Sequence, residues 1–248
     1  MKAMIFAAGL GTRLAPLTDH CPKALIEVGG VPMLERVIRR LRDAGVGEIV
    51  VNIHHHAVKI REFLDSRPDL AEGVSLSDES ELLLDTGGGV VKAAPLLRGD
   101  EPVMLYNADI LTDFPIAEML DRHLSTGADA TLLVSPTRPS SRGLLFDTEG
   151  RMCGWINRKT GEVKAPAELP AAVTPMSFGG IHIISPSLLG DLERYGKEVF
   201  SMTPFYTDSC AANRYMAYIP TEDYTWIDIG RPETLAKAQL YSRKLSEK

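Results

Sequence analysis

Short apolar runs alternate with helix-period segments through the first half of the chain. Met4 to Ala8 is apolar and ends at the turn Gly9-Leu10-Gly11, which predicts a buried strand. Leu34, Val37, Ile38 and Leu41 recur at helical spacing opposite Arg36, Arg39 and Arg40, so 34–41 is predicted helical and closed at Ala44-Gly45. EIVVNI, Glu48 to Ile53, predicts the next strand. Helices follow over Val58 to Leu64, Gly88 to Leu97 and Pro115 to Leu124, and strands over Val74 to Leu76, Pro102 to Tyr106 and Ala130 to Val134. Such alternation requires crossover connections, and therefore a mainly parallel sheet covered on both faces. Ligands of these sheets bind beyond the carboxyl ends of the strands. Gly9 to Lys23, Asp85 to Gly89 and Asn107 to Asp109 all lie there and can share one cleft.

The second half changes character. Gly143 to Ile156 predicts a hairpin turning at Glu149-Gly150, and Lys159 to Pro175, rich in Pro, Ala and Lys, predicts a loop. Phe178 to Ile184 predicts a strand followed by a Ser-Pro turn. Tyr215 to Ile219 and Thr225 to Ile229 predict two more strands, and Pro232-Glu233 opens a closing helix to about Leu245. The expectation is one α/β domain with a Rossmann-like α/β/α sandwich. Residues 1–135 form its core, and 136–248 form a smaller mixed lobe and the closing helix. Hexapeptide repeats that would mark a β-helix tail are absent from the sequence.

Composition narrows the class. Hydrophobic residues make up 44% and charged residues 24% of 248, enough for a core without staples. A net charge of -6 argues against a nucleic-acid partner but not against small anions, for which a few local cations suffice. The three cysteines, Cys21, Cys153 and Cys210, are scattered, as in a reduced compartment. The apolar run at the N-terminus is too short for a signal sequence or a membrane span, so a cytoplasmic, soluble protein without a membrane partner is expected.

The candidate chemistry starts in AAGLGTRLAPLTDHCPKAL, Ala7 to Leu25. A dinucleotide fingerprint would need a third glycine where Leu14 stands, and a P-loop would need Gly-Lys-Ser/Thr. Two permanent cations, Arg13 and Lys23, set among prolines after a glycine turn indicate an anion site. This stretch resembles the signature of the sugar-1-phosphate nucleotidylyltransferases. Three later stretches fit the same resemblance in the same order: LLDTGGGVVKA (Leu83 to Ala93), YNADILTDF (Tyr106 to Phe114) and TWIDIGRPETL (Thr225 to Leu235).

The resemblance implies transfer of a nucleoside monophosphate from an NTP to a sugar 1-phosphate, with Mg2+ and release of pyrophosphate. It implies that the backbone of Ala8, Gly9, Leu10, Gly11 and Thr12 wraps the triphosphate. Arg13 would neutralise the departing phosphates, and Lys23 would bridge the transferred and incoming ones. Asp109 and Asp228 would hold the metal. Asp85, Thr86, Gly87 and Gly88 would approach the base, and Asn107 would contact the ribose or shape the turn. Arg142, Asn157, Thr203 and Gly180 are candidates for the sugar wall in the second half. The short length and the TGGG stretch look most like uridylyltransferases for N-acetylmuramate 1-phosphate, and also like guanylyltransferases for mannose or heptose 1-phosphate.

Two departures stand out. Ala24 follows Lys23 where many members have proline, and Phe178-Gly179-Gly180-Ile181 carries an extra glycine. His54-His55-His56 is expected to be a solvated junction rather than a metal site, and Asp113 to cap the helix that follows it. Two other readings remain open at this stage: cytidylyl transfer to a phosphoalcohol such as phosphocholine, and a non-catalytic nucleotide-sensing subunit. Oligomeric state is not legible.

Overall fold

The computed structural model describes residues 1–246. Strand β1 (Lys2–Phe6) leads through a loop of short 3-10 turns to a small hairpin, β2 (Glu27–Val28) and β3 (Val31–Pro32), and then to helix α1 (Met33–Asp43). β4 (Ile49–Ile53), α2 (Ala57–Asp65), α3 (Pro68–Ala71), β5 (Val74–Asp78), α4 (Asp85–Leu97), β6 (Val103–Asn107), β7 (Ile110–Thr112), α5 (Ile116–Thr126) and β8 (Ala130–Ser135) complete the first half. The second half contains β9 (Arg142–Phe146), β10 (Met152–Asn157), β11 (Val163–Lys164), β12 (Thr174–Ile184), α6 (Pro186–Arg194), α7 (Met202–Ser209), β13 (Tyr215–Tyr218), β14 (Trp226–Asp228) and α8 (Pro232–Ser246).

The fold is α/β. The main sheet runs β11-β10-β9-β12-β6-β1-β4-β5, with β8 between β12 and β13. β5, β4, β1 and β6 are parallel neighbours, as the alternating pattern predicts. β12 then runs antiparallel to β6, β8 and β9 in turn, so a single 11-residue strand stitches both halves into one sheet.

Strict alternation in β1 builds the layers. Ala3 and Ile5 face a core shared with Leu34, Ile38, Ile60 and Met119 on α1, α2 and α5, whereas Met4 faces Val90, Leu97, Leu188 and Phe205 on α4, α6 and α7. A third cluster of Leu14, Ile26, Val28, Met33, Leu111, Ile227, Ile229, Leu235 and Ala238 packs the loop after β1 against β7, β14 and α8. That satellite core brings the first and last motifs together.

Several boundaries differ from the sequence reading. β1 ends at Phe6, which leaves Ala7 and Ala8 in the loop. α4 begins at Asp85, so its three glycines lie inside the helix. Ser185-Pro186 is the entry to α6 rather than a turn, with proline at the first helical position. α3, α7, β2, β3, β7 and β11 are additions. Among the described residues, no helix is long and apolar enough to cross a membrane.

Candidate active site

The loop after β1 is held at both ends and open in the middle. Asn52 on β4 accepts from the amides of Ala7 (2.7 Å) and Ala8 (3.3 Å). Gly11 takes a left-handed φ of 67°, and Thr18 Oγ1 donates to its carbonyl at 3.0 Å. A Cβ at Gly11 would come within 2.7 Å of Thr18 Cγ2, so conformation and contact both require glycine there. Gly9 has nothing within 4 Å of such a Cβ and faces open space. Among the described residues, no protein acceptor engages the amides of Gly9, Leu10, Gly11, Thr12 or Arg13. Five consecutive free N–H donors beside a cleft form a polar cradle suited to an anion.

Lys23, Asp109 and Asp228 meet beside this loop. The Lys23 ammonium contacts Asp109 Oδ2 and lies 3.8 Å from Asp228 Oδ1. Asp109 follows β6, and Asp228 ends β14 where it pairs with Ile110 of β7. Gly230 fixes the convergence: a Cβ there would lie 2.6 Å from Lys23 Nζ, 2.7 Å from Asp228 Oδ1 and 2.9 Å from Arg13 Nη2. Its amide donates to Asp228 Oδ1 at 2.7 Å. Desolvation in the crevice raises the Asp109 carboxyl above the ordinary range. Lys23 opposes that rise and the neighbouring Asp228 adds to it.

Two carboxylates drawn onto one ammonium are suited to a hard cation. Among the described residues, no group of three or more His, Cys, Asp or Glu gathers as a metal site, here or elsewhere, so these two carboxylates are the protein donors on offer at this point. Mg2+ commonly takes one or two protein carboxylates and completes its shell with water and phosphate oxygens, so the donor set of Asp109 and Asp228 fits it.

Two spaces open from this point. A recess of about 270 Å³ is lined by Phe6, Ala8, Gly9, Asn52, Glu79 and Asp85–Thr86. A cavity of about 1070 Å³ extends the other way, past Asn107, Asp109, Arg138, Arg158, Gly180, Trp226 and Asp228.

A nucleotidyl transferase model matches residues 2–244. The chain belongs to the nucleotidyl transferase family. Over its full length it is 31% identical to mannose-1-phosphate guanylyltransferase 1 of Arabidopsis thaliana, of which it spans 66%. It is 30% identical over 96% of its length to the N-acetylmuramate alpha-1-phosphate uridylyltransferase of Caulobacter vibrioides, covering 95% of that relative. Its fold is similar to that of HddC from Yersinia pseudotuberculosis complexed with GMP-PN, with a TM-score of 0.76, 22% identity, and 97% and 98% of the two chains covered. An apo UDP-glucose pyrophosphorylase is also similar, with a TM-score of 0.78, 16% identity and 99% of each chain covered.

For a nucleotidyl transferase of this family, the structure assigns different work to several residues the sequence singled out. Gly87 and Gly88 both donate to Phe200 O, at 2.8 and 3.2 Å, so these amides are not available to a base. Their missing side chains leave room for the Phe200 ring and for Glu198 O. Asp85 and Thr86, which line the recess, keep their candidate role. Asp85 holds a left-handed φ of 59°, accepts from Ser201 Oγ at 2.5 Å, and is joined there by Thr86 Oγ1 accepting from Met202 N at 2.9 Å. Asn157 turns its carboxamide oxygen onto the amides of Lys159 and Thr160, so Arg158 and Lys159, not Asn157, line the cavity. Gly180 lines it too. Its φ of 71° and the Asn107 carboxamide, 2.7 Å from a would-be Cβ, both favour glycine there. Arg142 and Thr203 line a neighbouring space of about 500 Å³.

Asp113 does not cap α5. It accepts from Thr225 N at 2.6 Å and from Tyr241 OH at 2.9 Å, tying β7 to β14 and α8. His54 Nδ1 pairs with Glu79 O at 2.6 Å and His56 Nε2 with Thr18 O at 3.2 Å, so two of the three histidines brace backbone. Asn52 was missed by sequence reasoning, although a lone carboxamide in the apolar run EIVVNI was a usable signal. Its partner Glu79 is fully buried, 2.7 Å from Asn52 Nδ2 and 3.2 Å from Leu84 N. Glu79 carried no such signal.

Proposed function

We propose that this protein transfers a nucleoside monophosphate from an NTP to a sugar 1-phosphate. The observation that carries this reading is the meeting of five free amides, Arg13, Lys23 and the Asp109–Asp228 pair in one crevice. The amides of Gly9 to Arg13 would grip the triphosphate, and the Arg13 guanidinium would face its β- and γ-phosphates. Lys23, a compact charge on a movable stem, would lie between the α-phosphate and the incoming sugar phosphate. A sugar-phosphate oxygen forms a bond to the α-phosphorus as the bond to the α,β-bridging oxygen breaks, and pyrophosphate departs with the electron pair. The attacking oxygen is already anionic, so no general base is needed. Mg2+ held by Asp109 and Asp228 would supply neutralising charge to the α-phosphate.

The recess beside Glu79 and Thr86 would take the base, and the large cavity the sugar. Uridylyl transfer to N-acetylmuramate 1-phosphate, or guanylyl transfer to mannose or heptose 1-phosphate, are the favoured reactions, in line with the names of the similar proteins. A choline acceptor lacks a free aromatic cage, since Arg138 already lies over the Trp226 ring at 3.8 Å. A purely sensing role would not need all four of Arg13, Lys23, Asp109 and Asp228.

The test is pyrophosphate release with Mg2+, each NTP and a panel of phosphorylated acceptors. Turnover with a sugar 1-phosphate is expected. Release with phosphocholine alone, or no release with any acceptor, overturns the reading.

A further inference from the structure

The large cavity carries more positive charge than the reacting phosphates call for. Arg13 and Lys23 stand at its inner end with Asp109 and Asp228, while Arg138, Arg158 and Lys159 line its outer wall. Arg138 is the most constrained of the three. Its guanidinium lies over the Trp226 ring, 3.8 Å from the centre, and Nη2 donates to Ser177 O at 2.9 Å. Its main chain is also tied, by Arg138 N to Ser135 Oγ at 3.1 Å and Ser177 Oγ to Arg138 O at 2.6 Å. Trp226 is fixed in turn, donating Nε1–H to Gly179 O at 2.9 Å.

Burial lowers the pKa of this guanidinium; the Tyr224 hydroxyl, a hydrogen-bond partner, opposes that shift, and among the described residues no Asp or Glu acts on it. A half-buried cation without a counter-charge costs stability, so a rigid one facing a cavity is matched to a negative ligand. Arg158, which is exposed, lines the same wall with Nη2 on Pro175 O at 2.7 Å and no ion pair among the described residues.

The position of Arg138 sets the scale of that ligand. Trp226 and Asp228 are two residues apart on β14 and therefore share a face, about 7 Å apart along the strand. Arg138, stacked on the Trp226 ring, therefore stands on the same cavity wall as the acid that the proposed function places at the reacting phosphate, but displaced from it. We propose that this wall binds a second anionic group on the acceptor, a carboxylate or a second phosphate, so that the preferred substrate is an acidic sugar 1-phosphate. The inference rests on the nucleotidyl-transfer reading and adds the class of sugar to it. An acceptor bearing only hydroxyls would desolvate Arg138 and give it no charge in return.

The test uses matched acceptors with the full chain, Mg2+ and the best NTP. N-acetylmuramate 1-phosphate is compared with N-acetylglucosamine 1-phosphate, which lacks the lactyl carboxylate, and mannose 1,6-bisphosphate with mannose 1-phosphate. At least one acidic member should exceed its neutral twin by about 100-fold in kcat/KM. Which pair shows the preference distinguishes carboxylate from phosphate. Arg138→Gln should bring that ratio down by about tenfold or more, mostly through KM for the acidic acceptor. Neutral twins that match or surpass the acidic ones in the unmodified protein overturn the inference and leave nucleotidyl transfer standing, whether or not the variant folds. A ratio unchanged by Arg138→Gln also overturns it. No turnover with any acceptor overturns the nucleotidyl-transfer reading and this inference with it.

Discussion

Asp109 shows how a residue's neighbours decide its chemistry. Alone, an aspartate after a strand is an ordinary turn residue. Here it touches the Lys23 ammonium and shares it with Asp228, 3.8 Å from the same nitrogen. Asp109→Asn keeps shape and volume and removes the charge that would hold a divalent cation. The expected result is loss of Mg2+-dependent pyrophosphate release by more than about 100-fold, with a melting temperature close to that of the parent protein. Retention of more than a tenth of the parent rate would remove Asp109 from the mechanism. The charged residues of this crevice were legible in the sequence because each sits in a motif with a chemical rationale. Gly230 and Asn52 were harder to assign: one acts by lacking a side chain where three charged groups meet, the other by accepting from two amides some 45 positions away.

At the scale of elements, the junction of α4 with α7 decides what the triple glycine is for. Gly87 and Gly88 press against the Phe200 ring and Glu198 O, and their amides donate to Phe200 O. A methyl group at Gly88 would overlap a main-chain carbonyl, which cannot swing aside as a side chain could. Gly88→Ala should therefore destabilise the fold by about 1–3 kcal/mol, read as a lower urea midpoint at unchanged m-value. If its role were contact with the base instead, stability would hold and only the KM for NTP would rise. The parallel half was legible because β1, β4 and β6 are apolar runs, β5 alternates, and helices such as α1 carry an apolar stripe. α6 and α7 were not. PSLLGDLER follows Ser185 with Pro186 and carries Gly190, and MTPFYTDS has Pro204 and a weak helical pattern, so both helices depend on packing against α4 and the sheet.

For the whole molecule, the decisive element is β12, whose three antiparallel pairings no local pattern announces because they depend on distant strands. It also carries His182, 2% exposed, with Nδ1 paired to Tyr206 OH on α7 at 2.6 Å. A second buried imidazole, His123 on α5, is also 2% exposed. It joins Thr131 Oγ1 of β8 at 3.0 Å and Ser185 Oγ before α6 at 3.2 Å. Burial pushes His123 down to about 4 and His182 to about 3 from an ordinary 6.5, so both stay neutral in the fold. As pH drops through about 6.5, the unfolded chain gains two protons that the folded one refuses, so stability is full above that value and declines below it. Each histidine contributes a slope approaching about 1.4 kcal/mol per pH unit until its folded pKa is reached. Asp78, held at about 2 by Ser80 and Arg61, loses its contribution only at lower pH. The raised carboxyls of Glu79 and Asp109 act in the opposite sense, because the fold takes up their protons before the unfolded chain does. The diagnostic interval is therefore about pH 7 to 5.5. Urea midpoints should fall steadily across it, and His182→Gln, though less stable at neutral pH, should show a shallower fall. An equal slope in the variant would mean that the two halves of the sheet are not held together through a neutral imidazole.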